Sequence, residues 1–166
     1  MFDTRTAIAA GAVALALVGT VVSTGQAAAG DRRQLSQNVR FFNEAANGML
    51  DGNGGGPSPI TYPANGSAIQ AWVLTSTAQG AFQIRNVYKN TLCLQAPSTS
   101  GDPILLIPCN ANNPAQWWNL ERSNDKVVIT EFLDRNYVIE SIGGFNSVVK
   151  AVSDHDELQE WDVLAA

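Results

Sequence analysis

The strongest constraint on the fold of this chain is a Gln-x-Trp triplet that occurs three times. The triplets are Gln70-Ala71-Trp72, Gln116-Trp117-Trp118 and Gln159-Glu160-Trp161, and their glutamines are 46 and 43 residues apart. Self-similarity at a nearly fixed period is typical of repeat architectures. We therefore divide the chain into three units, 38–79, 80–123 and 124–166, which contain 42, 44 and 43 residues.

Each unit carries about four short segments rich in Val, Ile, Leu, Phe, Tyr or Thr, separated by Gly, Pro, Asn, Ser and Asp. In the second unit these segments are 82–87, 92–96, 104–107 and 117–121. Such spacing predicts an all-β fold rather than parallel βαβ units. A β-propeller also has four strands per repeat, but it needs at least four blades to close. Three units therefore favour a closed threefold arrangement.

The residue types of the triplet suit a structural role. Residues two apart on a strand project from the same face, so each glutamine lies beside its tryptophan. A tryptophan buries a large apolar area, and a neighbouring amide satisfies backbone groups where strands turn. We expect the following six side chains to serve the core: Gln70, Trp72, Gln116, Trp118, Gln159 and Trp161.

The first 29 residues have the order of features found in a secretory signal peptide. Arg5 precedes a small-apolar run at 7–22, and Ala27-Ala28-Ala29 follows as a cleavage-type segment. The run is shorter than the roughly 20 residues needed to span a bilayer. We therefore expect a signal peptide at 1–29, a secreted single domain at 30–166, and no membrane insertion of the mature chain.

Charge and cysteine content limit the partners. The chain has 15 acidic and 10 basic residues, a net charge of −5, and no Lys/Arg cluster, which argues against nucleic acids and anionic membranes. Cys93 and Cys109 are the only cysteines, and an exported protein is expected to join them in one disulfide. Two thiols and one histidine, His155, do not make a zinc site, so we expect no metal.

The motifs together resemble one family. Three Gln-x-Trp copies, with Cys-Leu-Gln at 93–95 and Pro-Cys at 108–109 inside one unit, make the chain similar to the ricin B-type lectins. This resemblance implies a β-trefoil of three repeats of about 43 residues with pseudo-threefold symmetry. It also implies non-catalytic binding of galactose-type or other sugars in shallow pockets, at most one per repeat, without a cofactor.

The family's sugar site has an aspartate after the Cys-Leu position, an aromatic ring two residues before the second cysteine position, and Asn-Gln at the start of Gln-x-Trp. The first repeat matches with Asp51, Tyr62 and Gln70, while Ile69 replaces the asparagine and Asn65 offers an amide from the same loop. Carboxylates and amides bind sugar hydroxyls, and an aromatic ring supplies a flat apolar face.

The other repeats depart further from this pattern. The second has Gln95, Ile107 and Ala115 at the three positions. The third has Glu140 or Ser141 for the aspartate, Lys150 or Ala151 for the aromatic residue, and Leu158 before its glutamine. The resemblance therefore implies at most one competent sugar site, in the first repeat.

Other interpretations of the first-repeat residues stay open. Asp51 begins the run Asp-Gly-Asn-Gly-Gly-Gly, which is strong turn chemistry, and a turn residue can also bind a ligand. Asp51 and Asn53 match two positions of a calcium loop, but Gly55 and Tyr62 stand where later ligands belong. Tyr62 is either a rim residue or a stacking platform.

Catalytic motifs are missing from the sequence. It contains no Gly-x-Ser-x-Gly, His-Glu-x-x-His or phosphate-binding glycine-rich motif, so we expect no enzyme, although a carboxylate pair is defined only in space. The alternative to a sugar-binding module is a protein-binding trefoil, either a hydrolase inhibitor or a targeting subunit of a secreted complex, in which the sugar sites have decayed.

Overall fold

The computed structural model describes residues 38–144, 146 and 148–166, so the expected signal peptide at 1–29 lies outside the described residues. Within these residues, three 3-10 helices occur at Ala68–Gln70, Pro114–Gln116 and Glu157–Gln159. No helix in this part of the chain is long and apolar enough to cross a membrane. The strands are β1 Val39–Asn43, β2 Gly48–Asp51, β3 Ile60–Tyr62, β4 Trp72–Ser76, β5 Phe82–Asn86, β6 Leu92–Gln95, β7 Leu105–Pro108, β8 Trp117–Ser123, β9 Lys126–Glu131, β10 Tyr137–Glu140, β11 Val149–Val152 and β12 Glu160–Ala165.

Six of these strands form a closed barrel. Antiparallel pairing runs from β1 to β4, β5, β8, β9 and β12, and β12 pairs again with β1. Each repeat supplies its first and last strand to the ring, which leaves the barrel without an open edge. The arrangement confirms the predicted all-β fold, a β-trefoil of three repeats.

The two middle strands of each repeat form a hairpin, and the three hairpins are linked in a cycle. Each hairpin donates a backbone hydrogen bond to the loop of another repeat: Thr61 N to Asn146 O at 3.1 Å, Leu106 N to Pro57 O at 2.7 Å and Lys150 N to Asp102 O at 3.0 Å. A second set, Ile104 N to Val148 O and Val148 N to Pro59 O, has only two members. The third would need an N–H at Pro59, which proline lacks.

The repeat tryptophans pack at the centre of the core. Trp72, Trp118 and Trp161 are essentially fully buried. Each indole Nε1 donates to the carbonyl oxygen of a β2-type strand: Trp72 to Leu50 at 3.0 Å, Trp118 to Leu94 at 3.1 Å and Trp161 to Ile139 at 3.2 Å. These bonds satisfy the one polar group that each buried indole carries. Each of them joins the barrel to the hairpin of its own repeat.

A disulfide links the two strands of the second hairpin. Cys93 on β6 is bonded to Cys109, which follows β7, with an S–S distance of 2.02 Å. The equivalent of Cys93 is Met49 in the first repeat and Val138 in the third, as the strand registers show. The cross-link therefore occurs in the second repeat alone, and the corresponding hairpins of the first and third repeats form without a disulfide.

Candidate functional site

The first hairpin places Asp51 and Tyr62 on one face. In the register of β2 and β3, Asp51 is opposite Ile60 and Met49 is opposite Tyr62. Opposite residues share a face and residues two apart along a strand do too, so the Asp51 and Tyr62 side chains are diagonal neighbours. Leu50, on the other face, is fully buried in the core.

The Asp51 carboxylate is held at the start of the glycine-rich loop. The residue is 5% exposed, and Oδ1 accepts a hydrogen bond from the backbone N–H of Asn53 at 2.8 Å. Oδ2 accepts none from the residues that the structure describes. Asp51 is thus a turn residue with one carboxylate oxygen left for another donor, so the turn and ligand interpretations are compatible.

The loop after Asp51 is organised around Asn53 and is clamped by the second repeat. Asn53 adopts a left-handed conformation with φ of 49°, and its Nδ2 donates to Ser58 O at 3.1 Å. The Lys89 ammonium donates to the carbonyl oxygens of Asn53 and Gly56, the latter at 2.9 Å. Sequence reasoning did not identify Lys89 as part of this region, because no local pattern connects it to the first repeat.

A second support comes from Asn86. Its Nδ2 donates to Ile69 O at 2.8 Å, and the same carbonyl oxygen accepts a bond from Gly52 N at 2.9 Å. A Cβ at Gly52 would lie 2.7 Å from Asn86 Nδ2, so a larger residue at this position would have to displace the Asn86 amide. The sequence repeat does point to Asn86, because Asn43 precedes the first hairpin in the way that Asn86 precedes the second.

Gln70 acts on the site through the backbone. Its side chain is fully buried; Oε1 accepts from Asn65 N at 3.0 Å and Nε2 donates to Pro63 O at 2.9 Å. Gln116 and Gln159 make the same pair of bonds in their repeats. All three glutamines therefore fix the segment between the hairpin and the 3-10 helix, and in the first repeat that segment starts immediately after Tyr62.

Asn65 lies exposed on this segment. Its Oδ1 accepts hydrogen bonds from Ser67 N at 2.9 Å and from Ser67 Oγ at 2.6 Å. The amide nitrogen donates to no other described residue. The local turn thus fixes the orientation of the side chain and leaves a donor at the surface.

Tyr62 is 41% exposed and borders a cleft of about 210 Å³. The other walls come from the β1–β2 turn and the first residue of β2 (Ala46, Asn47, Gly48), from Thr61 and Pro63, and from Gly144 of the third repeat. Asp51 is not among the residues that line this cleft. The ring therefore stands between two surfaces, the Asp51 face of the hairpin and the cleft beside Gly48.

The strand registers identify the equivalent residues in the other repeats. Asp51 corresponds to Gln95 and Glu140, and Tyr62 corresponds to Ile107 and Ala151. This resolves the two alternatives of the third repeat: Glu140 rather than Ser141, and Ala151 rather than Lys150. Lys150 instead matches the buried Thr61, on the opposite face of its hairpin.

The longer side chains at the Asp51 position are engaged by the repeat glutamines. Gln95 Oε1 accepts from Gln116 Nε2 at 3.2 Å, and Glu140 Oε2 accepts from Gln159 Nε2 at 2.7 Å. Asp51 has a shorter side chain, and its carboxylate bonds the adjacent loop instead. Of the three equivalent positions, only the one in the first repeat combines an available carboxylate oxygen with an aromatic neighbour.

The described residues include no group of three or more His, Cys, Asp or Glu side chains arranged to hold a metal ion. His155 lies exposed in the loop before the third 3-10 helix, with φ of 64°. The side chains of the first-repeat region offer carboxylate, amide and phenol groups, and the glycine-rich loop adds backbone groups. This chemistry suits hydrogen bonding to a hydroxylated ligand.

Known proteins with this fold include sugar-bound lectins. A ricin B-like lectin of Macrolepiota procera in complex with lactose has a TM-score of 0.65 at 19% identity, covering 79% of this chain and 96% of that one. The C-half of the earthworm R-type lectin in complex with GalNAc has a TM-score of 0.60 at 20% identity, covering 78% and 99%. At such low sequence identities, these comparisons establish a shared fold and nothing further.

The same fold also occurs in a toxin structure. The cytolethal distending toxin of Haemophilus ducreyi matches with a TM-score of 0.64 at 18% identity, covering 80% of this chain and 84% of that one. A comparison with curated protein sequences finds no significant match.

The family model for the ricin-type β-trefoil lectin domain matches residues 37–161. Because that match covers most of the chain, the chain belongs to the ricin-type β-trefoil lectin family.

Proposed function

We propose that this protein is a secreted, non-catalytic carbohydrate-binding module with at most one competent family-type site, located in the first repeat. The observation that supports it best is the pairing of Asp51 and Tyr62 on one hairpin face, with Asp51 Oδ2 accepting no bond from the described residues. In the other repeats the matching positions hold Gln95 with Ile107 and Glu140 with Ala151.

Each residue has a distinct part in the proposed site. Asp51 Oδ2 accepts hydrogen bonds from sugar hydroxyls, and the Tyr62 ring packs against the C–H face of the sugar. Asn65 donates from its side-chain nitrogen. Gln70 is a positioning residue, since it fixes Pro63 and Asn65 rather than reaching the surface. Galactose-type sugars are the first candidates, since lactose and GalNAc are the ligands named for two structurally similar lectins.

A glycan array with the wild-type protein, Asp51→Ala and Asp134→Ala tests the proposal. Asp134 is a matched control, because it also accepts a bond from the N–H two residues ahead, at 3.0 Å, but lies exposed in another loop. Loss of a hydrogen bond to a charged group is expected to weaken binding by about 10- to 100-fold in Asp51→Ala. Asp134→Ala is expected to retain the wild-type profile.

Tyr62 is tested with two substitutions. Tyr62→Phe is expected to keep most of the glycan signal because the ring remains, whereas Tyr62→Ala is expected to lose it. A folded wild-type protein without any glycan signal contradicts the proposed function and favours the protein-binding alternative. Equal signals from Asp51→Ala and wild type contradict the location of the site but not the function.

A further inference from the structure

A second surface groove lies outside the three repeat positions. It measures about 300 Å³ and has two walls. One is formed by residues 75–79, which are the end of β4 and the start of the β4–β5 turn, and the other by Ala111, Asn112 and Trp117. Gln83, opposite Trp117 in the register of β5 and β8, also lines it. We name it the Trp117 groove; none of its lining residues belongs to the first-repeat site.

Trp117 is not explained by the repeat. The residue before each repeat tryptophan is Ala71, Trp117 and Glu160 in the three units, so an indole occurs only in the second. Its Nε1 donates to Ala111 O at 3.2 Å, and its ring meets Phe132 edge-on with centroids 5.2 Å apart. The indole is therefore held in one orientation. Trp117 as a residue is 9% exposed, and its exposed part forms part of the groove wall.

The opposite wall is also preformed. Two backbone bonds close the turn, from Thr77 N to Ala81 O at 2.8 Å and from Gly80 N to Thr77 O at 3.1 Å, and Gly80 has the positive φ, 85°, that such a turn needs. The Thr77 hydroxyl oxygen is buried and has no hydrogen-bond partner among the described residues. A buried hydroxyl without a partner is costly, but its burial also keeps this oxygen out of reach of a ligand in the groove.

The lining chemistry indicates the class of ligand. Hydroxyls and amides come from Thr75, Ser76, Gln79, Gln83 and Asn112, and no charged residue lines the groove. The side chains of Gln79 and Asn112 make no hydrogen bond within the part of the chain that the structure describes. The apolar part is limited to Ala78, Ala111 and Trp117, which is small for an amphipathic helix but sufficient for one face of a sugar ring.

We propose that the Trp117 groove is a second binding site, independent of the first-repeat site, for one unit of a neutral saccharide. The Trp117 indole contacts the C–H surface of the ring, and the Gln79 and Asn112 amides bind its hydroxyls. Trp117 is also largely buried, but of the four tryptophans it is the one whose exposed edge lines the groove, whereas Trp72, Trp118 and Trp161 lie inside the core.

The test is a titration of the full-length protein followed by amide and indole NMR. The probes are lactose, N-acetylgalactosamine, cellobiose and diacetylchitobiose at millimolar concentration, and the readouts are the Trp117 Nε1–H and Asn112 side-chain peaks. Ala111→Arg places a long side chain at an exposed position in the groove, and Asn112→Ala removes one amide. Asp51→Ala serves as the control for the first-repeat site.

At least one probe is expected to shift both peaks in wild type and in Asp51→Ala. The shifts are expected to vanish in Ala111→Arg, and affinity is expected to fall by about three- to tenfold in Asn112→Ala. A dispersed spectrum establishes that each variant is folded. Absence of shifts with every probe overturns the proposal. It is also overturned if shifts persist in Ala111→Arg but vanish in Asp51→Ala, since they would then originate from the first-repeat site.

Discussion

Lys89 in the second repeat donates a hydrogen bond from its ammonium to the carbonyl oxygen of Gly56 in the first repeat, at 2.9 Å. The same ammonium donates to Asn53 O, so one cation holds two points of the loop that follows Asp51. Asn53 also donates its backbone N–H to the Asp51 carboxylate. The proposed sugar site therefore depends on a residue outside its own repeat.

Replacing Lys89 with methionine is expected to loosen this loop. Two bonds from a charged donor are lost while the apolar stem remains, so the free energy of unfolding should fall by about 1–2 kcal/mol. Glycan affinity should fall as well, because Asp51 loses its ordered support. Urea unfolding and glycan titration measure the two effects. Arg122→Met removes an exposed positive charge and should change neither; equal effects in both variants would contradict the role of Lys89.

The buried pair of Lys150 and Glu131 offers a second prediction. Glu131 lies opposite Trp118, as Asn86 lies opposite Trp72, so in the third repeat a carboxylate occupies the position that holds an amide in the second repeat. Lys150 Nζ is 2.7 Å from Glu131 Oε2, with side chains 9% and 7% exposed. The alignment of this contact does not suit a hydrogen bond, so we describe it as an ion pair.

Lys150→Met should leave the Glu131 carboxylate buried without a counter-charge and lower the free energy of unfolding by about 3–5 kcal/mol. The double variant Lys150→Met with Glu131→Gln should recover most of that loss, because no buried charge remains. Urea unfolding of the two single variants and the double variant measures the coupling. Additive losses would show that the pair does not act as a unit.

The Cys93–Cys109 disulfide closes a loop with a sequence separation of 16 residues. Constraint of the unfolded chain by a loop of this length contributes about 3 kcal/mol. Reduction with dithiothreitol, or replacement of both cysteines by alanine, should therefore lower the melting temperature. This loop contacts the first repeat through the Leu106 N to Pro57 O bond, which is a β7 backbone contact that does not involve the cysteines. Glycan binding below the new transition should therefore be unchanged. Loss of binding by a protein that is still folded would contradict that separation.

Lys126 predicts a pH dependence at high pH. The Glu44 carboxylate, which accepts a bond from Lys126 Nζ at 2.9 Å, raises the pKa of Lys126 above its usual 10.5, with Asp162 acting in the same direction. A pKa raised on folding stabilises the protein below the unfolded value, and that contribution is lost as pH rises through the folded value. The relevant window therefore lies above about pH 10.5.

Urea unfolding at pH 8 and pH 11.5 should show this loss. The stability difference between wild type and Lys126→Met is expected to shrink at the higher pH. Lys126→Arg stays charged throughout, so its difference from Lys126→Met should persist. A wild-type difference that does not change between the two pH values would contradict the assignment.

Much of the fold was predictable because its determinants repeat. A Gln-x-Trp triplet recurring about every 43 residues indicated three equivalent units, and the pairing of the strands into a closed ring confirmed the β-trefoil. The residues at the Asp51 position of the other repeats were located only to within one or two candidates. Strand register, which depends on pairing across the hairpin, decided for Glu140 and Ala151.

The roles of individual side chains were less accessible. The repeat pattern predicted Gln70 in the core, and the family resemblance predicted it at the sugar site. In the structure its side-chain amide donates to Pro63 O and accepts from Asn65 N. The Trp117 groove had no sequence signal other than an indole where the repeat has Ala71 and Glu160, because its two walls come from segments about 35 residues apart.

The sequence by itself determined the number of repeats, the strand-rich character of each and the hairpin that carries Asp51 and Tyr62, because periodicity and turn chemistry act over short distances along the chain. The tertiary structure decided which groups are left available at the surface. Lys89 reaches Gly56 across a repeat boundary, and Gln95 and Glu140 are bonded by the repeat glutamines while Asp51 is not. Those outcomes depend on distances between segments that are brought together only when the barrel closes.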